Sequence, residues 1–189
     1  MFKNSFIYAI CFFVLNGCAV VSQKPLEQYD FSAMQHLQQQ KKWSLEGRLA
    51  LANDKESVSL SISWRHDPLQ DDLDLVGPLG QGRVKIFVTQ NQVVVDDGET
   101  RRVFDGKADL IISEQLGVDL PIQSLRYWVL GTNDPDQSFT EQPEGFYQAG
   151  WLVRYRELQD VSAERLPKKM TAEKDKSRIK LIVDQWVLS

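Results

Sequence analysis

The four residues Leu15-Asn16-Gly17-Cys18 have the types and spacing needed for covalent attachment of lipid. After cleavage behind a small residue, a cysteine thiol can form a thioether to diacylglycerol, and its freed amine can take a third acyl chain. Each buried CH₂ contributes about 0.8 kcal/mol, so two or more chains anchor a protein stably whereas one chain is marginal. The pattern therefore predicts a lipoprotein that is acylated at Cys18.

The segment before this cysteine supports the same prediction. Residues 1–17 contain one charge, Lys3, and a continuous apolar run at residues 6–15. A transmembrane helix needs about 20 apolar residues, and this run has the length of a secretory signal instead. We predict a lipoprotein signal peptide over 1–17. Because Ala19 follows the cysteine, and not the Asp that resembles an inner-membrane retention signal, we predict a mature protein that is lipid-anchored at the periplasmic side of the outer membrane. An ordinary cleaved signal followed by a chance cysteine is the alternative, and Asn16 is a departure from the usual pattern.

Composition limits what the mature chain can do. Removing residues 1–17 removes only Lys3, so the formal net charge changes from −4 to −5. An acidic chain of this kind is a poor nucleic-acid binder, because phosphate contacts need clustered Lys and Arg. Cys11 leaves with the signal and Cys18 is acylated, so no disulfide is expected within the mature chain. We expect a monomer that is stabilised by ordinary packing.

The polar segment 18–30 is predicted to be a flexible tether, and residues 31–189 a single domain. Apolar residues at helical spacing predict a first helix over 32–42, and two more helices over 107–116 and 121–131. Between and after these helices the apolar period is two, which predicts antiparallel strands. The strands are expected at 43–51, 57–64, 72–76, 83–89, 92–95, 100–104, 146–148, 151–157, 168–173 and 178–188, with 132–145 as a loop.

About ten successive short strands predict a mainly β fold: a curved antiparallel sheet, or unclosed barrel, with the inserted helices as a lid over its apolar face. The alternation is clearest at 57–64, where serines occupy the odd positions and apolar residues the even ones. The concave side could hold an apolar cavity for a hydrophobic ligand, or it could be a fully packed core. The candidate lining residues, chosen by alternation, are Leu49, Leu60, Ile62, Trp64, Leu75, Ile86 and Trp151.

Catalytic and metal-binding motifs are scarce. His36 and His66 are the only histidines, which argues against a histidine-rich metal site or a Ser-His-Asp triad. The run GPLGQG at 77–82 lacks the spacing of a dinucleotide fingerprint and leads into a strand. Asp71, Asp72 and Asp74 lack the spacing of a calcium loop and are interpreted as the exposed face of a strand. An esterase or hydrolase is disfavoured because no nucleophile motif is present, and we expect neither enzyme activity nor a cofactor.

One residue of the glycine-rich turn is unusual for a loop. Gly77, Pro78 and Gly80 surround Leu79, a large aliphatic side chain in a segment otherwise suited to solvent. The side chain could fold back onto the core, or it could be exposed to contact a membrane or a partner.

Several motifs, in this order and spacing, resemble the LolB family of outer-membrane lipoprotein receptors. They are WSLEGRLA at 43–50, SWRHD at 63–67, LVGPLGQG at 75–82, LPIQSLRYWVLG at 120–131, GWLVRY at 150–155, and LPKKM with RIKLIVDQW at 166–170 and 178–186. The resemblance implies an unclosed β-barrel with a helical lid and an apolar interior that holds lipoprotein acyl chains. It also implies that Cys18 is acylated and that Leu79 is an exposed loop leucine involved in delivery to the membrane.

The resemblance further implies a function and partners. Members receive triacylated lipoproteins from the soluble periplasmic carrier LolA and insert them into the outer membrane, without catalysis. The alternative that we retain is a structural or assembly lipoprotein of the outer membrane with a packed core and no ligand.

Overall fold

The computed structural model of this protein describes residues 29–189. The predicted signal peptide, the acylation site Cys18 and nearly all of the tether lie outside the described residues. Among residues 29–189, no helix is both long enough and apolar enough to cross a bilayer.

Within residues 29–189, eleven antiparallel strands form one sheet. The strands are β1 Trp43–Ala52, β2 Ser57–Asp67, β3 Gln70–Val76, β4 Arg83–Thr89, β5 Gln92–Asp96, β6 Arg101–Asp105, β7 Phe139–Gln142, β8 Gly145–Gln148, β9 Trp151–Val161, β10 Glu164–Lys174 and β11 Ser177–Leu188. Their spatial order is β6-β5-β4-β3-β2-β1-β11-β10-β9-β8-β7. Because β6 and β7 are its two edges, the described sheet does not close into a barrel. The predicted fold class is therefore confirmed.

The alternating pattern of β2 holds over only part of the strand. Ile62 and Trp64 are buried on the inner face, whereas Val58 is 36% exposed and Leu60 is only partly buried. The cause is register: β3 pairs with β2 only from Ser61 onwards, so the first residues of β2 extend past its neighbour. Alternation indicates which face a side chain lies on, but a neighbouring strand is needed to cover it.

The first predicted helix is shorter and tighter than expected. α1 is Phe31–Met34, and a 3₁₀ helix follows at Gln35–Gln39. The buried residues Phe31, Met34 and Leu37 are spaced by three, which matches the three residues per turn of a 3₁₀ helix. Asp30 caps the start by accepting hydrogen bonds from the backbone N–H groups of residues 32 and 33.

The two mid-chain helices cover the inner face of the sheet. They are α2, Ala108–Leu116, and α3, Ile122–Trp128. Ile112, Leu125 and Trp128 are at most 2% exposed and belong to the same apolar cluster as the inner residues of the sheet. Gly117 ends α2 in the left-handed conformation, with φ 70°, as a C-terminal glycine is expected to do.

The prediction of a loop over 132–145 is wrong in part. It contains β7, Phe139–Gln142, and the first residue of β8, to which β7 pairs. Three of the four β7 side chains are exposed, so this edge strand has no alternating pattern that could reveal it in the sequence.

Candidate functional site

The turn between β3 and β4, residues 77–82, presents Leu79 to solvent. This side chain is 97% exposed, so it does not fold back onto the core. Gly77 N donates to Gly82 O at 2.9 Å and Gly80 N donates to Gly77 O at 3.1 Å, which closes the turn on itself. A Cβ at Gly77 would lie 2.1 Å from Gln81 O, so this tight turn requires glycine there. We call residues 77–82 the Leu79 turn.

Leu79 has a backbone conformation that is uncommon for its residue type. Its φ is 58° and its ψ is 21°, in the left-handed region that L-residues with a branched side chain rarely adopt. Such strain costs of order 1–3 kcal/mol and persists where the surrounding structure imposes it. The turn therefore holds this exposed leucine outward in a strained backbone conformation.

An ion pair holds the base of the Leu79 turn. Arg83, the first residue of β4, donates from Nε to Asp74 Oδ1 at 2.8 Å and also contacts the second carboxylate oxygen. The Arg83 hydrogen bond lowers the pKa of Asp74 below its ordinary value, despite the opposing effect of partial burial. The pair fixes β4 against β3 next to the turn, in addition to the backbone ladder that joins Val76 to Arg83.

An apolar opening lies beside this turn, on the inner side of the sheet. It is a pocket of about 280 Å³ between the first halves of β2 and β4 and the C-terminal end of α2. We call this pocket the mouth. Its lining residues are Glu56, Ser57, Val58, Leu60, Leu75, Gly82, Val84, Gln115, Leu116 and Val118. Gly82 belongs to both the mouth and the Leu79 turn, so the exposed leucine and the opening are at the same end of the molecule.

The seven residues predicted to line a cavity are all on or near the inner face. Six of them, all except Leu60, are at most 4% exposed and belong to the packed core. Leu60 and Leu75 line the mouth. The other five residues lie on the inner face of the sheet. Side chains of α1, α2 and α3 belong to the same apolar cluster and cover this face. In this structure, side chains of the helices occupy the space that was predicted from the sequence to hold a ligand.

A buried polar cluster that the sequence pattern did not predict joins α3 to the sheet. Asp71 is 2% exposed, so the interpretation of Asp71 as a solvent-facing residue is wrong. Its Oδ1 accepts from Trp64 Nε1 at 3.0 Å and lies 2.7 Å from His66 Nδ1. Its Oδ2 lies 3.1 Å from Nη2 of Arg126 on α3. We call the Asp71–Arg126 pair the latch.

The sequence did contain a signal for the position of Asp71. In β3 the buried residues are Asp71, Leu73 and Leu75, whereas Asp72 and Asp74 are on the other face. A strict period of two starting from the two leucines therefore places Asp71 inside. Its acidic character led to the opposite interpretation, because the partner that makes burial possible, Arg126, is more than fifty residues away in sequence.

A second buried network holds the C-terminal end of α3. Gln148 Oε1 accepts from Trp128 Nε1 at 2.9 Å and from the backbone N–H of Asp134 at 2.8 Å. Gln148 Nε2 donates to the Asp134 carbonyl at 2.9 Å. One glutamine on β8 thus fixes both the helix end and the segment that follows it.

The chain matches a known family over most of its length. A profile described as "Outer membrane lipoprotein LolB" matches residues 41–186. The chain belongs to the LolB family. The match includes the Leu79 turn, the mouth and both residues of the latch.

Named LolB relatives agree with this assignment. The outer-membrane lipoprotein LolB of Cellvibrio japonicus is 30% identical over 187 residues, which cover 92% of this chain and 91% of the relative. The protein of the same name from Marinomonas sp. is 29% identical over 157 residues, 78% of this chain and 80% of the relative.

A solved structure shares the fold. A LolA superfamily protein from Nitrosomonas europaea superposes with a TM-score of 0.54 and covers 80% of this chain and 87% of its own. The two are 10% identical in sequence, so the likeness shows a common fold and nothing finer. The LolB-family chain and this LolA superfamily protein therefore share one architecture.

Proposed function

We propose that this LolB-family protein accepts triacylated lipoproteins from the periplasmic carrier LolA and inserts them into the outer membrane. It acts as a non-catalytic monomer, anchored through Cys18 on the periplasmic side. No cofactor or nucleotide is needed, because the acyl chains move to successively more favourable apolar surroundings.

The observation that best supports this function is the placement of Leu79 beside the mouth. The mouth is the apolar opening between the sheet and α2, and the adjoining turn presents an almost fully exposed leucine. Burying one leucine contributes about 1.5–3 kcal/mol. That is enough to bias contact of this end with lipid but too little to anchor the protein. Acyl chains that leave through the mouth would meet the bilayer next to Leu79.

Accepting acyl chains requires α2 and α3 to move away from the sheet. Their apolar residues fill the inner face, and the mouth is small for a triacylated residue. The latch opposes this movement, but it is not fully satisfied: Arg126 Nε is buried and has no hydrogen-bond partner among residues 29–189. The arginine side of the latch is partly open to solvent, because the Arg126 side chain is 26% exposed. A closed but releasable lid suits a protein that must both take and give up its ligand.

The packed interior also favours a second candidate function. A structural or assembly lipoprotein needs a filled core and no ligand, and the described interior is filled. That alternative gives no role to the strained, exposed Leu79 or to the apolar mouth beside it. It also predicts that acyl chains do not bind.

The decisive experiment separates acceptance from delivery. Purified protein is mixed with LolA loaded with a lipoprotein, without nucleotide, and cargo transfer is measured; liposomes are then added and cargo insertion is measured. Leu79→Glu should accept cargo normally but deliver it poorly, because a charge resists entry into hydrocarbon. Leu79→Ile or Leu79→Phe should remain close to normal.

Leu69 offers a matched control at the other end of β3. It lies in the preceding turn and is 83% exposed, so Leu69→Glu makes the same chemical change on a similarly exposed leucine. Delivery should be unaffected by it. If no cargo passes from LolA to the unmodified protein, the acceptor function is wrong and the structural alternative stands. If a stable Leu79→Glu protein delivers normally, the turn is not the delivery element.

A further inference from the structure

The serines of β2 leave a groove on the outer face of the sheet, opposite the lid. The groove has a volume of about 460 Å³ and crosses four strands beneath the Leu79 turn. Ser59 and Ser61 are exposed on the outer face, next to the small Ala50 of β1. Larger side chains at these positions would fill the groove. The full lining is Arg48, Leu49, Ala50, Ser59, Leu60, Ser61, Val76, Gly77, Pro78, Leu79, Gly80, Lys180 and Ile182.

The groove combines an apolar wall with an exposed lysine. Pro78, Leu79, Val76 and Ile182 supply apolar surface, and Lys180 is exposed at the rim. Lys180 forms no ion pair with any residue from 29 to 189, whereas Arg48 is held by Asp184 at 3.1 Å. The available positive charge therefore lies at Lys180, across β1 from the two serine hydroxyls.

We propose that this groove binds one phospholipid of the target bilayer, with its phosphate on Lys180 and the serine hydroxyls and one acyl chain along the apolar wall. The inference rests on the proposed function, because it assumes that Leu79 brings this end of the protein to the membrane. The lipid site is on the outer face and is separate from the interior proposed for the cargo.

The dimensions and chemistry agree with this occupant. A volume of about 460 Å³ is within the range of small-ligand sites, about 300–1,000 Å³. The combination of one exposed ammonium, two hydroxyls and an apolar wall matches a phosphate ester joined to a hydrocarbon chain. A lipid drawn into the groove beside Leu79 would disturb the packing of the bilayer where the cargo chains must enter.

The test uses the mature chain with Cys18→Ala, which contains no other cysteine, so a single introduced cysteine can carry a fluorescent label. The label is placed by Ser63→Cys, on the same face next to the groove but outside its lining, or by Val103→Cys on the edge strand β6, away from the groove. Each protein is titrated with dihexanoyl phosphatidylglycerol below its micelle concentration. We expect a saturable change in fluorescence at position 63 and none at position 103. Lys180→Glu should weaken binding by about tenfold or more, because a charge-assisted contact contributes about 1.5–3 kcal/mol.

Lys85→Glu is the matched control for charge. Lys85 is also exposed on the outer face, but it is not part of the groove. Equal weakening by Lys85→Glu and Lys180→Glu would overturn the site, since only general charge would matter. Saturation by inorganic phosphate alone, to the same extent, would show an anion site and overturn the lipid proposal. The titration uses a soluble short-chain lipid and no bilayer, so it does not depend on delivery. Failure of lipid binding in the groove can therefore be distinguished from failure of Leu79-dependent delivery to liposomes.

Discussion

Asp71 on β3 and Arg126 on α3 form an ion pair of 3.1 Å between the sheet and the helical lid. The carboxylate is 2% exposed and is further bound by Trp64, so removing the arginine would leave a buried charge with less compensation. The pair therefore links the stability of the whole domain to the closed position of α3.

Arg126→Gln should destabilise the domain and loosen the lid. Removing one partner of a buried ion pair costs about 3–5 kcal/mol, and the partial exposure of Arg126 places this change near the lower value. Binding of an apolar fluorescent probe should increase well below the unfolding transition, because α3 separates from the sheet more readily. Arg102→Gln, which breaks the exposed pair with Asp97, should change stability by less than about 1 kcal/mol. Equal probe binding in the two variants would mean that the latch does not control the lid.

Ile62→Asp and Ser61→Asp test which face of β2 is inside. Ile62 is 4% exposed, so a carboxylate there should cost several kcal/mol of unfolding free energy. Ser61 is exposed, and its cross-strand neighbour is Arg48, so Ser61→Asp should be nearly neutral. Chemical denaturation of both variants gives the comparison. Similar losses of stability would show that the alternation does not separate the two faces.

Asp109 in the first turn of α2 should make stability depend on pH. Burial raises the pKa of this carboxyl, although its hydrogen bond from the Gln123 N–H acts in the other direction. The folded state then holds its proton to higher pH than the unfolded state, so stability falls as pH rises from the ordinary carboxyl pKa through the raised one. Asp109→Asn should therefore gain stability relative to the unmodified protein as pH rises above the ordinary range of a carboxyl pKa, as measured by chemical denaturation at a series of pH values.

Asp97→Asn is the control of opposite sign. Hydrogen bonds from the N–H groups of Thr100 and Glu99 lower the pKa of Asp97, so its stabilisation is present at neutral pH and is lost as pH falls through the lowered value. The free energy of unfolding of Asp97→Asn, relative to that of the unmodified protein, should decrease as pH rises. If the stability differences of both variants from the unmodified protein change with pH in the same direction, burial does not govern the pKa of Asp109.

Cys18→Ala with a standard cleavable signal should release the protein from the membrane without abolishing cargo acceptance. The change is outside residues 29–189 and removes the predicted site of both acyl attachments. Cell fractionation should recover the protein in the periplasm, and the LolA mixing assay should show transfer. A folded, soluble protein that takes no cargo would show that the anchor takes part in acceptance.

The sequence by itself determined most of the strands and the turn that joins β3 to β4. Alternation with period two at β1, β2 and β4 reflects a local constraint, because successive side chains of a strand must point to opposite faces. The Leu79 turn was equally readable, since its glycines are needed for local backbone geometry. The pattern could not show that Leu79 is 97% exposed, because exposure depends on what the rest of the chain brings near it.

The tertiary structure alone decided the state of the interior and the role of Asp71. An inward-facing leucine has the same sequence pattern whether it lines a cavity or packs against a helix, and here α2 and α3 occupy the inner face. Asp71 could be buried only because Arg126, Trp64 and His66 converge on it from α3 and β2. A buried charge is stabilised by partners that are close in space. The alternation of residues along one strand carries no information about such partners.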